Sequence, residues 1–233
     1  MIWHILFDLL AYMSAWQVAK YFRSNVSFWQ DTDQKWYYYT AATIGFVIGA
    51  VGLSTINNYL SLGIWVMGKS ILGALLGAIV AVEFFKKVMG INGSTGTYFV
   101  PSLSVGIAVG RLGCFFTGLE DFTYGTPTKL PWGVDFGDGI PRHPVQLYES
   151  VMMFLFFVYA WRLYKKRRSL FEREIFYRFI LFYAVQRFVW EFFKPYGVFI
   201  GGLNLFQWVC LGLMIYAFYY LQRSRYGILR SEI

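Results

Sequence analysis

Residues 183–195 read Tyr183-Ala-Val-Gln-Arg187-Phe-Val-Trp-Glu191-Phe-Phe-Lys-Pro195, an arginine and a glutamate one helical turn apart inside an otherwise apolar stretch. A charge held in an apolar membrane segment is costly, which marks these two residues as functional candidates. Tyr183, Arg187 and Glu191 recur every four residues, so on an α-helix they share one narrow stripe. Phe188, Val189, Phe192 and Phe193 are left to face lipid or neighbouring helices. The charged stripe must face protein or water.

The rest of the chain has the same character. Of its 233 residues, 57% are hydrophobic, 22% aromatic and only 15% charged, a balance outside the range of soluble globular domains. Seven apolar spans can be drawn, roughly 2–22, 37–60, 63–85, 97–118, 144–163, 175–193 and 201–222. Each is near the roughly 20 residues that cross a bilayer as a helix. The expected fold is therefore an all-α polytopic membrane protein with seven transmembrane helices, one membrane domain over 1–233 without internal repeats. The first span lacks a basic leader and a small-residue cleavage site, so it reads as a retained helix.

Orientation follows from the 21 Lys and Arg. Fifteen cluster in four segments: Lys20, Arg23 and Lys35; Lys86 and Lys87; Arg162, Lys165, Lys166, Arg167, Arg168, Arg173 and Arg178; and Arg223, Arg225 and Arg230. Lys129, Arg142 and Lys194 fall in the alternate segments, and Lys69, Arg111 and Arg187 lie inside spans. The bias places the N-terminus outside and the C-terminus in the cytoplasm. It also removes a nucleic-acid reading of the +8 net charge, because the charge is distributed as topology demands. The run Tyr164-Lys-Lys-Arg-Arg168 is a cytoplasmic anchor.

At about 1.5 Å per residue, Asp8, Lys69, Arg111, Glu149 and Arg187 lie roughly 8 to 10 Å below the outer surface, with Glu191 shallower. Such charges can be paired structural groups. As a set they describe a polar cavity in the outer leaflet, lined by cations suited to a lipid phosphate. Glu83 stands apart, near the cytoplasmic end beside Lys86 and Lys87.

Small residues support close packing. Gly106 to Gly110, Gly45 to Gly49 and Gly73 to Gly77 are small-xxx-small matches, and Gly113 and Thr117 extend the first of them. The loop at 119–142 holds Tyr124-Gly-Thr-Pro-Thr-Lys-Leu-Pro-Trp132 and Asp135-Phe-Gly-Asp138-Gly-Ile-Pro141, rich in turn formers and too polar to cross. It is expected to be a small periplasmic cap over the cavity. It runs into Arg142-His143-Pro144-Val-Gln146-Leu-Tyr148-Glu149, where Pro144 suits a first helical turn and His143, Gln146 and Glu149 are spaced by three.

Gly110-Arg111-Leu-Gly113-Cys-Phe115, Arg142-His143-Pro-Val-Gln146-Leu-Tyr148-Glu149 and Tyr183-x-x-x-Arg187-Phe-x-x-Glu191-Phe-x-x-Pro195 occur in this order and are followed by Gly202-Leu-Asn-Leu-Phe-Gln207. Together they resemble the prolipoprotein diacylglyceryl transferases of bacteria, over most of the chain from about Gly68 onward. The resemblance implies a multi-pass enzyme of the bacterial cytoplasmic (inner) membrane. Such an enzyme moves the diacylglyceryl group of phosphatidylglycerol to the thiol of a lipobox cysteine in a prolipoprotein signal peptide and releases glycerol phosphate. The chain also departs from the family. Where the arginine motif typically continues Gly-Arg-x-Gly-Asn-Phe-x-Asn-Gly-Glu, it has Cys114, Thr117 and Leu119, with Glu120 one residue later. Where the family has His-Gly-Gly-Leu-x-Gly, it reads Leu72-Gly73-Ala74-Leu75-Leu76-Gly77, with Lys69 one turn earlier. The departures bear on the acceptor more than on the lipid donor.

Arg187 and Arg111, assisted by Lys69, are candidates to bind the donor phosphate and stabilise the charge it gains on leaving. His143 suits proton transfer by type, with an unperturbed pKa of about 6.5, or alternatively caps the helix at Pro144. Tyr183 matches the family tyrosine and would orient or relay a proton, or is an ordinary membrane tyrosine. Glu191 and Glu149 would fix the arginines and the tautomer of His143, with Gln146 and Cys114 among the substrate-contacting candidates. Cys114 is either a nucleophile beside Arg111 or a small buried replacement for asparagine. His4 reads as interfacial. The spacing shows no metal-ligand cluster, phosphate-cradling glycine loop or nucleotide motif, so no metal or cofactor is implied. Three readings remain: the lipoprotein-modifying transferase, a relative with the same phosphatidylglycerol donor and another acceptor, and a non-catalytic lipid-binding or transport protein.

Overall fold

A computed structural model describes residues 2–22 and 32–225. Arg23 and Arg230, which contribute to the charge bias, lie outside the described residues, as does the C-terminus. Seven α-helices run through the described residues: α1 (Ile2–Tyr21), α2 (Thr32–Leu62), α3 (Ile71–Met89), α4 (Val100–Thr117), α5 (Val145–Lys166), α6 (Arg168–Glu191) and α7 (Leu205–Arg225). A two-stranded antiparallel sheet, β1 (Val134–Asp135) with β2 (Pro141–Arg142), sits between α4 and α5. The chain divides into two compact units, 1–24 with 94–195 and 25–93 with 196–233.

The first unit holds α1, α4, α5, α6 and the small sheet. Pro101 opens α4 in its first turn, where the missing N–H costs nothing, and Gly118 at φ 68° ends it. The face of α4 bearing Gly106 and Gly113 meets α1: a Cβ on Gly106 would lie 3.4 Å from Ala15 Cβ, and one on Gly113 would lie 2.6 Å from Phe7 Cβ. These pairings run in opposite directions along the two chains, so α1 and α4 are antiparallel. Gly110, in contrast, faces open space. α5 and α6 form a helical hairpin broken at the single residue Arg167 (φ −142°, ψ 65°), inside the basic run. Their seam is fully buried at Met153, Phe171, Ile175, Phe179, Ile180 and Ala184. Phe156 packs between Phe179 (5.7 Å) and Phe182 (4.9 Å). Ser150 on α5 donates to the Ala108 carbonyl of α4 at 2.8 Å, one turn before Arg111.

The loop at 119–142 is ordered by hydrogen bonds. The Asp135 carboxylate accepts from the backbone N–H groups of Gly137, Asp138 and Gly139 at 2.8, 3.1 and 3.0 Å, and Asp138 accepts from Arg142 at 2.6 Å. Thr126 N–H donates to the Phe193 carbonyl at 2.6 Å, and His143 N–H to the Thr126 carbonyl at 3.1 Å. The loop is thereby tied to the end of α6 and the start of α5.

The second unit holds α2, α3 and α7. The two small-xxx-small motifs predicted here interlock. A Cβ on Gly45 or Gly77 would collide with the carbonyl oxygen of the other, and Gly49 and Gly73 oppose each other in the same way. Only backbone without side chains fits this seam. Ser70 caps α3, its hydroxyl accepting from Gly73 N–H at 3.3 Å, and Gly90 in the left-handed region (φ 69°) closes the helix. The third apolar span, expected from residue 63, thus becomes helical only at Ile71, because the Ser70 cap fixes the start. Asn204 and Gln207 form a reciprocal capping box at the start of α7, each side chain accepting from the other's N–H at 2.9 Å.

Large apolar side chains cover the outside of the helices, among them Leu9, Tyr12 and Met13 on α1, Val47 and Ile48 on α2, Phe154 and Leu155 on α5, and Ile215 and Phe218 on α7. Three described segments, Asp33–Ser61, Thr97–Asp121 and Leu205–Ser224, are long and apolar enough to cross a bilayer. This is the surface of a membrane protein.

Candidate functional site

Five charged side chains from α4, α5 and the end of α6 meet in the interior of the first unit. Arg111 Nε lies 2.6 Å from Glu149 Oε2, and Arg187 Nη1 lies 2.7 Å from Glu149 Oε1. The second Arg187 amino group lies 2.6 Å from Glu191 Oε1. Lys194 Nζ completes the cluster, 2.9 Å from Glu149 and 3.7 Å from Glu191. None of the five is more than 7% exposed. Among the described residues three cations share two carboxylates, an excess of positive charge in the buried cluster. Such a charge is stable only with a further anion nearby or at considerable cost, and Arg forks are well shaped for phosphate oxygens.

Local structure explains how each residue arrives. Arg187 and Glu191 face the same way by the four-residue repeat of α6. Beyond Trp190 the chain tightens to three-residue hydrogen bonds, Phe193 N–H to Trp190 at 3.1 Å and Lys194 N–H to Glu191 at 3.2 Å. That 3₁₀ closure puts Lys194 back under Glu191. Lys194 was expected in an outer loop and is instead buried in the cluster. The signal for it was present, because 187, 191 and 194 are spaced by four and three.

Tyr183, one turn before Arg187, is buried on the same stripe. Gln146 on α5, one turn before Glu149, is fully buried, and neither end of its amide has a protein hydrogen-bond partner among the described residues. His143 sits at the turn into α5, half-buried, its ring edge-on to Phe193 at 5.0 Å and 6.4 Å from Tyr148. Both Glu149 oxygens are committed to Arg111, Arg187 and Lys194. This carboxylate orients cations, while the His143 ring packs on aromatic rings. Cys114 is half-buried one turn after Arg111, whose terminal amino group is 3.9 Å from its sulfur.

Two of the charges assigned to the same depth are exposed. Lys69 belongs to the second unit, in the extended segment just before the Ser70 cap, and is exposed. Asp8 is exposed on α1. Counting residues from a span end fixes depth but not the face of the helix. Glu83, which stands apart in the sequence beside Lys86 and Lys87, pairs with Lys86 at 2.9 Å and also accepts from Tyr216 of α7 at 2.9 Å. His4, expected at an interface, pairs with Asp121 at 2.6 Å.

The chain as a whole is similar to known proteins of one family. Residues 1–223 match the family profile described as prolipoprotein diacylglyceryl transferase. The chain is 32% identical over 201 residues to a phosphatidylglycerol–prolipoprotein diacylglyceryl transferase of Polynucleobacter asymbioticus, covering 79% of this chain and 75% of that protein. It is 29% identical to the protein of the same name from Bordetella avium, covering 91% of this chain and 86% of the relative. The Geobacter sulfurreducens protein of that name is 34% identical over 163 residues, covering 65% of this chain and 60% of the relative. No solved structure matches the chain. The family match runs through the helices that carry Arg111, Glu149, Arg187 and Glu191, and this chain belongs to the prolipoprotein diacylglyceryl transferase family.

Proposed function

We propose that this protein transfers the diacylglyceryl group of phosphatidylglycerol to the thiol of a lipobox cysteine in a prolipoprotein signal peptide, at the bacterial inner membrane. The observation that carries the reading is the buried cluster of Arg111, Arg187 and Lys194 around Glu149 and Glu191, with its excess positive charge. The relatives' names supply the donor and the acceptor. In the reaction the cysteine sulfur forms a bond to the terminal glyceryl carbon. The bond from that carbon to the phosphate oxygen breaks, and glycerol phosphate leaves with the electron pair. Arg187 and Arg111 hold the phosphate and stabilise its growing charge, an effect strengthened in a site without bulk water. Gln146 supplies an unengaged amide for a donor oxygen or hydroxyl. The thiol proton passes to His143 or through Tyr183. Lys69 keeps the assisting role that its charge suggests in the sequence, and Cys114 contacts substrate. The roles of all these residues are part of the proposal.

The same proposal gives seven membrane crossings in one domain over 1–233, the N-terminus outside, and the 119–142 loop on the periplasmic face. The alternating basic segments support it. A second reading keeps the donor and changes the acceptor, favoured by Leu72 at the place where the family pattern that the sequence resembles has histidine. Leu72 is buried in the first turn of α3. The deciding experiment incubates purified protein with labelled phosphatidylglycerol and a lipobox peptide. Thioether-linked diacylglyceryl peptide with an equal yield of glycerol phosphate is the expected result. Glycerol phosphate without modified peptide would move the assignment to another acceptor, and neither product would leave a lipid-binding protein.

A further inference from the structure

The antiparallel packing of α1 on α4 brings together three side chains that sequence spacing keeps far apart. His4 lies in the first turn of α1, Cys114 in the last turn of α4, and Asp121 in the 3₁₀ turn that follows it. One ligating atom of each, His4 imidazole nitrogen, Cys114 sulfur and an Asp121 carboxylate oxygen, lies within 4.8 Å of both others. All three belong to the first unit, and all are partly accessible. We propose that His4, Cys114 and Asp121 form a divalent cation site of the zinc class.

The donor set selects the ion. A nitrogen, a sulfur and an oxygen suit borderline metals such as Zn²⁺, whereas Ca²⁺ and Mg²⁺ require oxygen throughout. With bonds of about 2.0 to 2.3 Å, the edges of a tetrahedral zinc site are roughly 3.3 to 3.8 Å. The three atoms lie within 4.8 Å of one another, so small side-chain shifts bring them to such a triangle, with His4 Nε2 and Asp121 Oδ1, now hydrogen-bonded at 2.6 Å, moving apart. The carboxylate is held from behind: Thr123 Oγ1 donates to Asp121 Oδ2, which leaves Oδ1 turned toward His4. Outer hydrogen bonds of this kind orient metal ligands. The fourth position is free for water, as in three-ligand zinc sites.

Binding deprotonates the thiol and clips the beginning of α1 to the end of α4. It also places a cation one turn from Arg111, 3.9 Å from which the Cys114 sulfur already lies. The site is thereby built to tune the position of Arg111 without being part of the charge cluster. A His4–Asp121 pair formed for stability alone would not need the thiol.

The test uses the detergent-solubilised full chain and does not depend on turnover. After removal of metal and titration with zinc, one equivalent binds per chain, the melting temperature rises, and alkylation of Cys114 slows relative to the metal-free protein. With Co²⁺ a thiolate-to-metal charge-transfer band appears in the near ultraviolet. Cys114→Ser abolishes that band, and His4→Gln and Asp121→Asn each weaken zinc binding at least tenfold. Zinc that leaves Cys114 alkylation unchanged, or cobalt without the charge-transfer band, overturns the proposal in the unsubstituted chain, whether or not any variant folds. Equal zinc binding by the wild type and Cys114→Ser would do the same, marking the ion as adventitious.

Discussion

At the scale of single residues, the charge cluster makes the arginines unequal to lysines. Arg187 spans Glu149 and Glu191 with two separate nitrogens, a geometry that a single ammonium cannot reproduce. Arg187→Ala and Arg111→Ala are expected to lower diacylglyceryl transfer by at least about 10²-fold, the scale of losing one preorganised donor to a developing charge. Arg187→Lys should recover part of that loss. Removing either partner also leaves a buried carboxylate short of charge, so protein level in the membrane must be measured beside the rate. Wild-type transfer by Arg187→Ala would make the arginine structural. His143 is a separate question, because its contacts are the rings of Phe193 and Tyr148. As a general base its replacement in His143→Gln should cut the rate by about two to four orders of magnitude while phosphatidylglycerol binding stays near normal. An unchanged rate would hand proton transfer to Tyr183 or to an unactivated thiol.

At the scale of elements, two local devices decide geometry. The α2–α3 seam admits no side chain at Gly45, Gly49, Gly73 or Gly77. Gly77→Val, which drives two methyl groups into the Gly45 carbonyl, is expected to destabilise by about 1–3 kcal/mol or more, read as a lower melting temperature in detergent. Gly110→Ala, on open space, should change little. The sheet of the 119–142 loop depends on Asp138, whose carboxyl the Arg142 guanidinium holds below its usual range. A carboxylate with a depressed folded pKa contributes stability above its unfolded pKa of about 3.9 and loses it as pH falls through the folded value. Protection factors for hydrogen exchange at 134–142, taken relative to the intrinsic rate at each pH, should therefore fall below about pH 4. Asp138→Asn should exchange faster at neutral pH and lose the acid dependence, and a wild-type profile in that variant would show that Arg142 is held by other contacts.

At the scale of the whole molecule, the topology is testable without any assay of turnover. With Cys114 and Cys210 replaced by serine, single cysteines introduced as Lys129→Cys and Asp135→Cys should react with an impermeant reagent in cells whose outer barrier has been opened. Arg167→Cys should react only after the inner membrane is disrupted. Labelling of position 167 in intact inner membranes would reverse the orientation and with it the outer-leaflet placement of the site.

What the sequence determined by itself were the features carried by local period and composition. These are the helices, the small-residue faces at Gly45, Gly49, Gly73 and Gly77, and the stripe of Tyr183, Arg187 and Glu191. They also include the motifs that place the chain in its family. Helical period assigns residues to a face, but not what that face meets. The tertiary structure decided that Glu149 gathers three cations and that the 3₁₀ turn after α6 recruits Lys194. It also began the third span's helix at the Ser70 cap, leaving Lys69 exposed before it, and joined His4 to Asp121 across 117 residues of chain. Each of these depends on where an element stops or on which neighbour packs against it, and those are properties of packing between distant segments that no local spacing encodes.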